Sequence, residues 1–327
     1  MTPSTRADDR DWRAALKAFD PAAAARAPVT LHAAQLLQTR GLNAPAEAAL
    51  REFLERAPEH HAGLLALASL LRRLGRSDEA AAFMVRAALA EAAQRDVPDD
   101  ERKQVAEFFV AAERNGPAPD RAPAAYVAAL FDEFADHFDT QLRDKLAYRG
   151  PELLLEAITR TADGPLANLD ILDLGCGTGL AGETFRHAAC RLDGVDLSPK
   201  IIAQAEAKHV YDRLSVGDIV AHLNASDDRY DLILAADVFV YLGDLAPVLA
   251  AARRVLRDDG RLAFTVEAAD DGDFLLHENR RYAHSRDYLT RAGTAAGFEV
   301  RLLEESSTRM QSQRPVRSFV CVFSSFG

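Results

Sequence analysis

From residue 169 onward, short apolar runs alternate with stretches whose apolar residues recur every three to four positions. The runs at 169–174, 191–196, 213–217, 230–236 and 260–267 have the length of strands. The periodic stretches at 179–188, 199–208, 243–256 and 285–296 have the length of helices. A strand buried on both faces reads as a nearly continuous apolar run, and its alternation with helices specifies a parallel sheet flanked by helices. The end of the chain differs. Runs at 298–303 and 319–323 have no helical stretch between them, which predicts a closing antiparallel strand. Upstream, helical patterns fill 124–147 and 151–161, and residues 258–260, Asp-Asp-Gly, read as the turn into the fifth strand.

The first third of the chain is alanine-rich and carries a repeat. Ala34-x-x-Leu37-x-x-x-Gly41-x-x-x-x-Ala46 returns 34 residues later as Ala68-x-x-Leu71-x-x-x-Gly75-x-x-x-x-Ala80. Small residues let paired helices approach closely, and the glycine closes the first helix of each pair. In period and pattern this resembles tetratricopeptide repeats (TPR). The segments 12–27 and 101–114 are candidate caps or degenerate repeats. The resemblance implies either a scaffold or a surface for a protein partner. Residues 115–123 hold three prolines and read as a linker. Two domains are therefore expected, a TPR-like helical one at 1–118 and an α/β one at 119–327, with a helical lid at about 124–161.

Composition narrows the function classes. The 327 residues are 48% hydrophobic, enough for two packed cores. No apolar run approaches the ~20 residues of a membrane span, and the polar N-terminus lacks the apolar core of a signal peptide. A cytoplasmic protein with no membrane contact is expected. Its three cysteines, Cys176, Cys190 and Cys321, have neither metal nor disulfide spacing. Net charge is −11; residues 1–120 hold 16 Lys and Arg against 18 Asp and Glu, so the remainder carries −9. Nucleic-acid binding needs a basic footprint, and none is expected here.

The stretch Leu169-Asp-Ile-Leu-Asp-Leu-Gly-Cys-Gly-Thr-Gly179 carries the most chemistry. An apolar run ends in Asp173, then Gly175, Gly177 and Gly179 allow a tight turn and close backbone approach to a ligand. The spacing is G-x-G-x-G, neither the dinucleotide fingerprint nor a phosphate loop with its Gly-Lys-Ser/Thr. The next run ends in Asp196, where a carboxylate can accept both hydroxyls of a ribose. Later runs end in Asp218 and Asp237. The glycine loop and the order of these acids closely resemble class I S-adenosylmethionine (SAM)-dependent methyltransferases. The resemblance implies a Rossmann-like sheet of seven strands, the last antiparallel, with SAM as cofactor. It places the cofactor on Asp173, Gly175, Cys176, Gly177, Gly179, Asp196 and Asp237. Leu197 is their neighbour, Asp218 meets the adenine amino group, and Ile219 covers the ring.

Residues 131–139, Phe-Asp-Glu-Phe-Ala-Asp-His-Phe-Asp, match the segment that forms a cofactor lid in many small-molecule methyltransferases, with Phe138 where a Tyr is usual. The chain resembles bacterial methyltransferases that carry N-terminal TPR-like repeats. A SAM methyl is already activated, so such an enzyme mainly has to align its acceptor, often beside a base. The candidates are His284, Asp237 and Tyr241 as catalytic groups, and Arg280 or Arg281, Tyr282 and His284 as acceptor contacts. The Asn/Asp-Pro-Pro-Tyr signature of base and glutamine methylation is missing after the fourth strand. No metal site is expected: Asp237 with Asp270 or Asp271 lacks the companion Asp-Asn pair of magnesium-dependent relatives. Methyl transfer to oxygen or nitrogen of a small molecule is the first reading. The others are a protein methyltransferase that recruits its substrate through the repeats, and a repeat-based adaptor that only senses SAM.

Overall fold

The computed structural model describes residues 11–17, 30–114, 118–135, 139, 146–311 and 314–325. The chain divides into two compact units, Met1–Arg114 and Asn115–Gly327.

The first unit is helical: α1 (Trp12–Lys17), α2 (Leu31–Thr39), α3 (Asn43–Arg56), α4 (His61–Arg73), α5 (Ser77–Gln94) and α6 (Asp99–Arg114). The ends of α2 and α4, and the starts of α3 and α5, repeat with the period of 34 seen in the sequence. The two turns close alike. Gly41 and Gly75 take φ of 73° and 75°. Leu42 N–H donates to Leu37 O at 3.0 Å, and Arg76 N–H to Leu71 O at 3.0 Å. These are helix-ending bonds of one type, made possible by left-handed glycine. Leu37 and Leu71, Ala46 and Ala80 are all fully buried or nearly so. The repeated small and apolar residues therefore form the core, while the ion pairs that join the turns, such as Arg76 to Glu47 at 2.8 Å, are part-exposed and contribute little.

The second unit opens with α7 (Ala124–Phe134) and α8 (Gly150–Thr161) and continues β1 (Leu169–Leu174), α9 (Leu180–Phe185), β2 (Ala189–Asp196), α10 (Pro199–Ala207), β3 (Arg213–Val216), α11 (Ile219–Ala225), β4 (Tyr230–Ala235), α12 (Ala246–Val255), β5 (Leu256–Ala269), β6 (Phe274–Leu276), β7 (Tyr282–Ser285), α13 (Arg286–Ala295), β8 (Phe298–Gln311) and β9 (Arg314–Ser325). Strands β3, β2, β1, β4 and β5 lie side by side and parallel. β9 runs antiparallel to β5 and to β8. Among the described residues the sheet has nine strands rather than the expected seven. The extra two are the short β6 and β7, where β7 pairs in parallel with Glu267–Ala269 at the end of β5.

Period-2 alternation splits the core between the two sheet faces. Leu172, Leu174, Ile233, Ala235 and Phe264 pack on one side with Val248, Leu249 and Leu289. Ile171, Leu192, Leu232, Leu234 and Ala263 pack on the other with Leu154, Ile158 and Phe185. Polar side chains start the helices. Ser198 accepts from Ile201 N–H at 3.1 Å with Pro199 in the first turn, and Ser285 caps α13 at Tyr288 N–H, 3.2 Å. Three boundaries differ from expectation. Residues 258–260 are a bulge inside β5 rather than a turn before it, with Asp259 at φ 61°. The helix expected over 124–147 is described only as far as Phe134. The last part of the expected linker is tied to the sheet unit: Ala122 N–H donates to Tyr241 O at 2.9 Å, and Gly243 N–H to Asp120 O at 2.7 Å. Among the described residues no helix is long and apolar enough to cross a membrane.

The glycine turns make a test. A Cβ added at Gly75 meets open space, so only the backbone strain of φ 75° remains. Gly75→Ala should lower the stability of the helical unit by about 1 kcal/mol in denaturant unfolding, and Gly75→Asn by less. At Gly293 an added Cβ lies 2.5 Å from the Phe323 ring, so Gly293→Ala should cost more, about 1–3 kcal/mol.

Candidate functional site

The glycine turn after β1 is left-handed at three places: Gly175, Gly177 and Gly179 have φ of 61°, 54° and 95°. An added Cβ at Gly175 would lie 2.5 Å from Val238, so the turn lets the loop after β4 close against the loop after β1. Cys176 N–H bonds Val195 O at 3.0 Å and pins the turn to β2. Burial pushes the Cys176 thiol well above its usual range, which leaves it uncharged.

Below this turn is a cavity of about 260 Å³ at the C-terminal ends of the parallel strands, where ligands gather in sheets of this kind. One half is lined by Gly175, Cys176, Gly177, Asp173, Asp196, Leu197, Asp218 and Ile219. Asp196 accepts from Gly177 N–H at 3.0 Å through one oxygen and from Ser198 N–H at 2.9 Å through the other. Burial raises its pKa, and these amides oppose the rise. Asp173 accepts from the Tyr211 hydroxyl at 2.7 Å, and burial pushes its carboxyl up to about 7. Asp218 caps α11 with one oxygen, at 3.1 Å from Val220 N–H and 3.0 Å from Ala221 N–H, and pairs with Arg121 through the other. Burial alone would raise it, but these donors outweigh burial and hold it below the usual carboxylate range.

The other half is lined by Asp237, Tyr241, Arg281, Arg309 and Tyr148. Arg281 donates from Nε to Glu267 at 2.6 Å, from a second nitrogen to Asp237, and from the third to the Tyr241 hydroxyl at 3.3 Å. Arg309 donates to the same Glu267 oxygen at 2.8 Å. Burial would raise Glu267, and the two guanidiniums bring it below its ordinary value. Asp237 sits at φ 63°, its N–H held by Thr265 Oγ1 at 2.9 Å. Burial raises the Tyr241 hydroxyl to about 12, so it is a donor at neutral pH.

Of the residues singled out in the sequence, Asp173, Gly175, Cys176, Gly177, Asp196, Leu197, Asp218, Ile219, Asp237, Tyr241 and Arg281 line this one cavity. Gly179 does not line it; it precedes α9 as its left-handed cap. Phe138 lies outside the described residues, although Phe131 of the same segment lines the cavity. Asp132 accepts from Ser198 Oγ, and Asp139 from Lys208 at 2.7 Å and from Thr178.

Arg280, Tyr282 and His284 are displaced from the site. In β7 alternate side chains take opposite faces, so Tyr282 and His284 share one, while Arg281, just before the strand, reaches the cavity. Tyr282 donates to Pro119 O at 2.7 Å. His284 is fully buried, 3.0 Å from Gly243 O and stacked on Tyr288. Burial lowers its pKa to about 4, leaving a neutral packed ring rather than a base at the cavity. The sequence reading passed over Arg121, Tyr148 and Arg309. None stands in a motif; the segment 120–122 beside Tyr241, the start of α8 and the pairing of β8 bring them in.

Residues 172–264 match the family described as "Methyltransferase domain". "Methyltransferase-like protein 27" of Homo sapiens is 38% identical over 88 residues, 27% of this chain and 36% of that protein. "Malonyl-[acyl-carrier protein] O-methyltransferase" of Pseudescherichia vulneris is 30% identical over 143 residues, 44% of this chain and 54% of that protein. The chain thus spans about half or less of these relatives' length. The structure of 1,6-didemethyltoxoflavin-N1-methyltransferase from Burkholderia thailandensis aligns at a TM-score of 0.47 and 21% identity, covering 64% of this chain and 93% of that one.

Asp173 sets a pH dependence. The folded state keeps its proton up to about 7, while the unfolded chain releases it near the ordinary 3.8. Over that interval the folded state binds more protons, so stability falls as pH rises from about 4 to about 7. The loss should be on the order of a few kcal/mol in urea titrations across that range, and Asp173→Asn should flatten it.

Proposed function

We propose that this chain, whose residues 172–264 match the family described as "Methyltransferase domain", is a class I, SAM-dependent enzyme that transfers the SAM methyl group to oxygen or nitrogen of a small-molecule acceptor. The observation that carries the reading is the convergence of Asp173, Asp196 and Asp218 with the glycine turn on one cavity. The donor set fits the cofactor. Asp196 can accept from the ribose hydroxyls, Asp173 can meet the methionine ammonium, and Asp218 the adenine amino group. Leu197 and Ile219 flank the ring. The cofactor supplies an activated methyl on a positive sulfur. The chain supplies alignment, through the Arg281–Asp237–Tyr241 cluster and the apolar lining from Phe131 and Val238. The names of the curated relatives, O-methyltransferases of malonyl-[acyl-carrier protein] and of ubiquinone biosynthesis, agree with transfer to oxygen of a small organic group.

A second reading is a protein methyltransferase. It rests on the helical unit, whose helix ends and glycine turns keep a period of 34. As TPR-like repeats those helices would recruit the polypeptide. On the first reading they are a scaffold or bind a partner protein, and the enzyme works in the cytoplasm.

Two measurements test this. Asp196→Ala should weaken SAM binding in calorimetry by about 1.5–3 kcal/mol, the range of charge-assisted hydrogen bonds; an unchanged affinity places the ribose elsewhere. Methyl-labelled SAM added to a bacterial extract, with products split by size, should leave label among the small molecules. Label in the protein fraction would select the second reading.

A further inference from the structure

We propose that the acceptor is a carboxylic acid with an apolar body, and that its carboxylate is received by Arg309. The inference rests on the methyltransferase reading and names the class of its second substrate. Arg309 lines the cavity and is only 7% exposed. Its Nε is a buried donor with no hydrogen-bond partner among the described residues, which native proteins seldom leave unexplained. Its backbone lies where β8 shifts register against β9, between Ser307 and Met310; such bulges re-aim a side chain. The bulge is clamped on both sides, by Arg149 N–H to Thr308 O at 2.9 Å and Met310 N–H to Leu146 O at 2.7 Å. Arg281 differs, because all three of its nitrogens already have partners.

Charge points the same way. Arg281 and Arg309 balance Asp237 and Glu267, so this half of the cavity is neutral. An anionic acceptor therefore meets no uncompensated carboxylate there. A guanidinium fork holds a carboxylate in a fixed plane. The chemistry also suits the residues present. A carboxylate oxygen donates its lone pair to the methyl carbon, the carbon–sulfur bond breaks, and its electron pair stays on sulfur. A methyl ester and S-adenosylhomocysteine result, and no proton has to be removed. Val127, Leu130 and Leu146 line the same cavity and would cover the apolar body.

The full chain, loaded with S-adenosylhomocysteine, is titrated calorimetrically with benzoate and octanoate and then with benzamide and octanamide. The acids should bind at least about tenfold tighter than the amides, as a charge-assisted contact implies. Arg309→Met should remove that preference and leave S-adenosylhomocysteine affinity within about twofold, since Glu267 keeps Arg281 as a partner. Arg309→Lys, which keeps the charge without the fork, should retain only part of it and replaces the Met variant if that fails to fold. Equal binding of acids and amides, or a preference that survives both substitutions, overturns the proposal. Failure of S-adenosylhomocysteine itself to bind is seen before any acid is added; it removes the cofactor reading, and this proposal with it.

Discussion

The cavity depends on how closely two loops can approach. The turn after β1 and the loop after β4 meet at Gly175 and Val238, where no side chain beyond hydrogen fits. Any L-residue at 175 would meet both the steric block and the unfavourable left-handed backbone. Because the turn is this tight, Gly177 N–H can reach Asp196 on the neighbouring strand, and Cys176 can bond Val195. One glycine geometry thus positions carboxylates from β1 and β2, and the parallel order of β3, β2, β1 and β4 supplies Asp218 and Asp237 beside them.

Charge is distributed unevenly across that cavity. In the glycine-loop half, Asp173 and Asp196 are buried with no cation bonded to them among the described residues, and burial raises both. In the other half, every carboxylate named has a guanidinium. Unpaired buried acids are costly in the free protein, and a ligand that brings positive charge and hydroxyl donors relieves that cost. The first half is thereby complementary to a cationic ligand, and the second is a neutral, rigid frame whose geometry is set by Arg281. Neither property follows from the chain's net charge of −11, which says only that the surface is acidic.

The helical unit rests on a simpler constraint. Buried alanines allow close helix approach, and left-handed glycines end the first helix of each pair. Both act within about 40 residues of chain, so a period in the sequence became a period in the structure. Local rules also produced the caps at Ser198, Asp218 and Ser285, each one residue ahead of its helix. They did not produce β6 and β7, which are too short to show a pattern and exist because the end of β5 offers β7 a partner and β7 in turn offers one to β6.

The order of strands and helices, the parallel core and the row of strand-end acids could be read from the sequence, because each depends on residues close in the chain. Apolar period, glycine turns and capping side chains are local physics. What faces the second half of the cavity was decided elsewhere. Arg281 and His284 are three residues apart and equally suggestive as letters, yet the one just before β7 reaches the cavity and the one inside the strand is buried against Gly243. Arg121, Tyr148 and Arg309 carry no motif at all. They arrive through the strap beside Tyr241, the connection to α8, and the bulge in β8. Those are pairings between segments far apart in the chain, and long-range pairing is what a single sequence does not display.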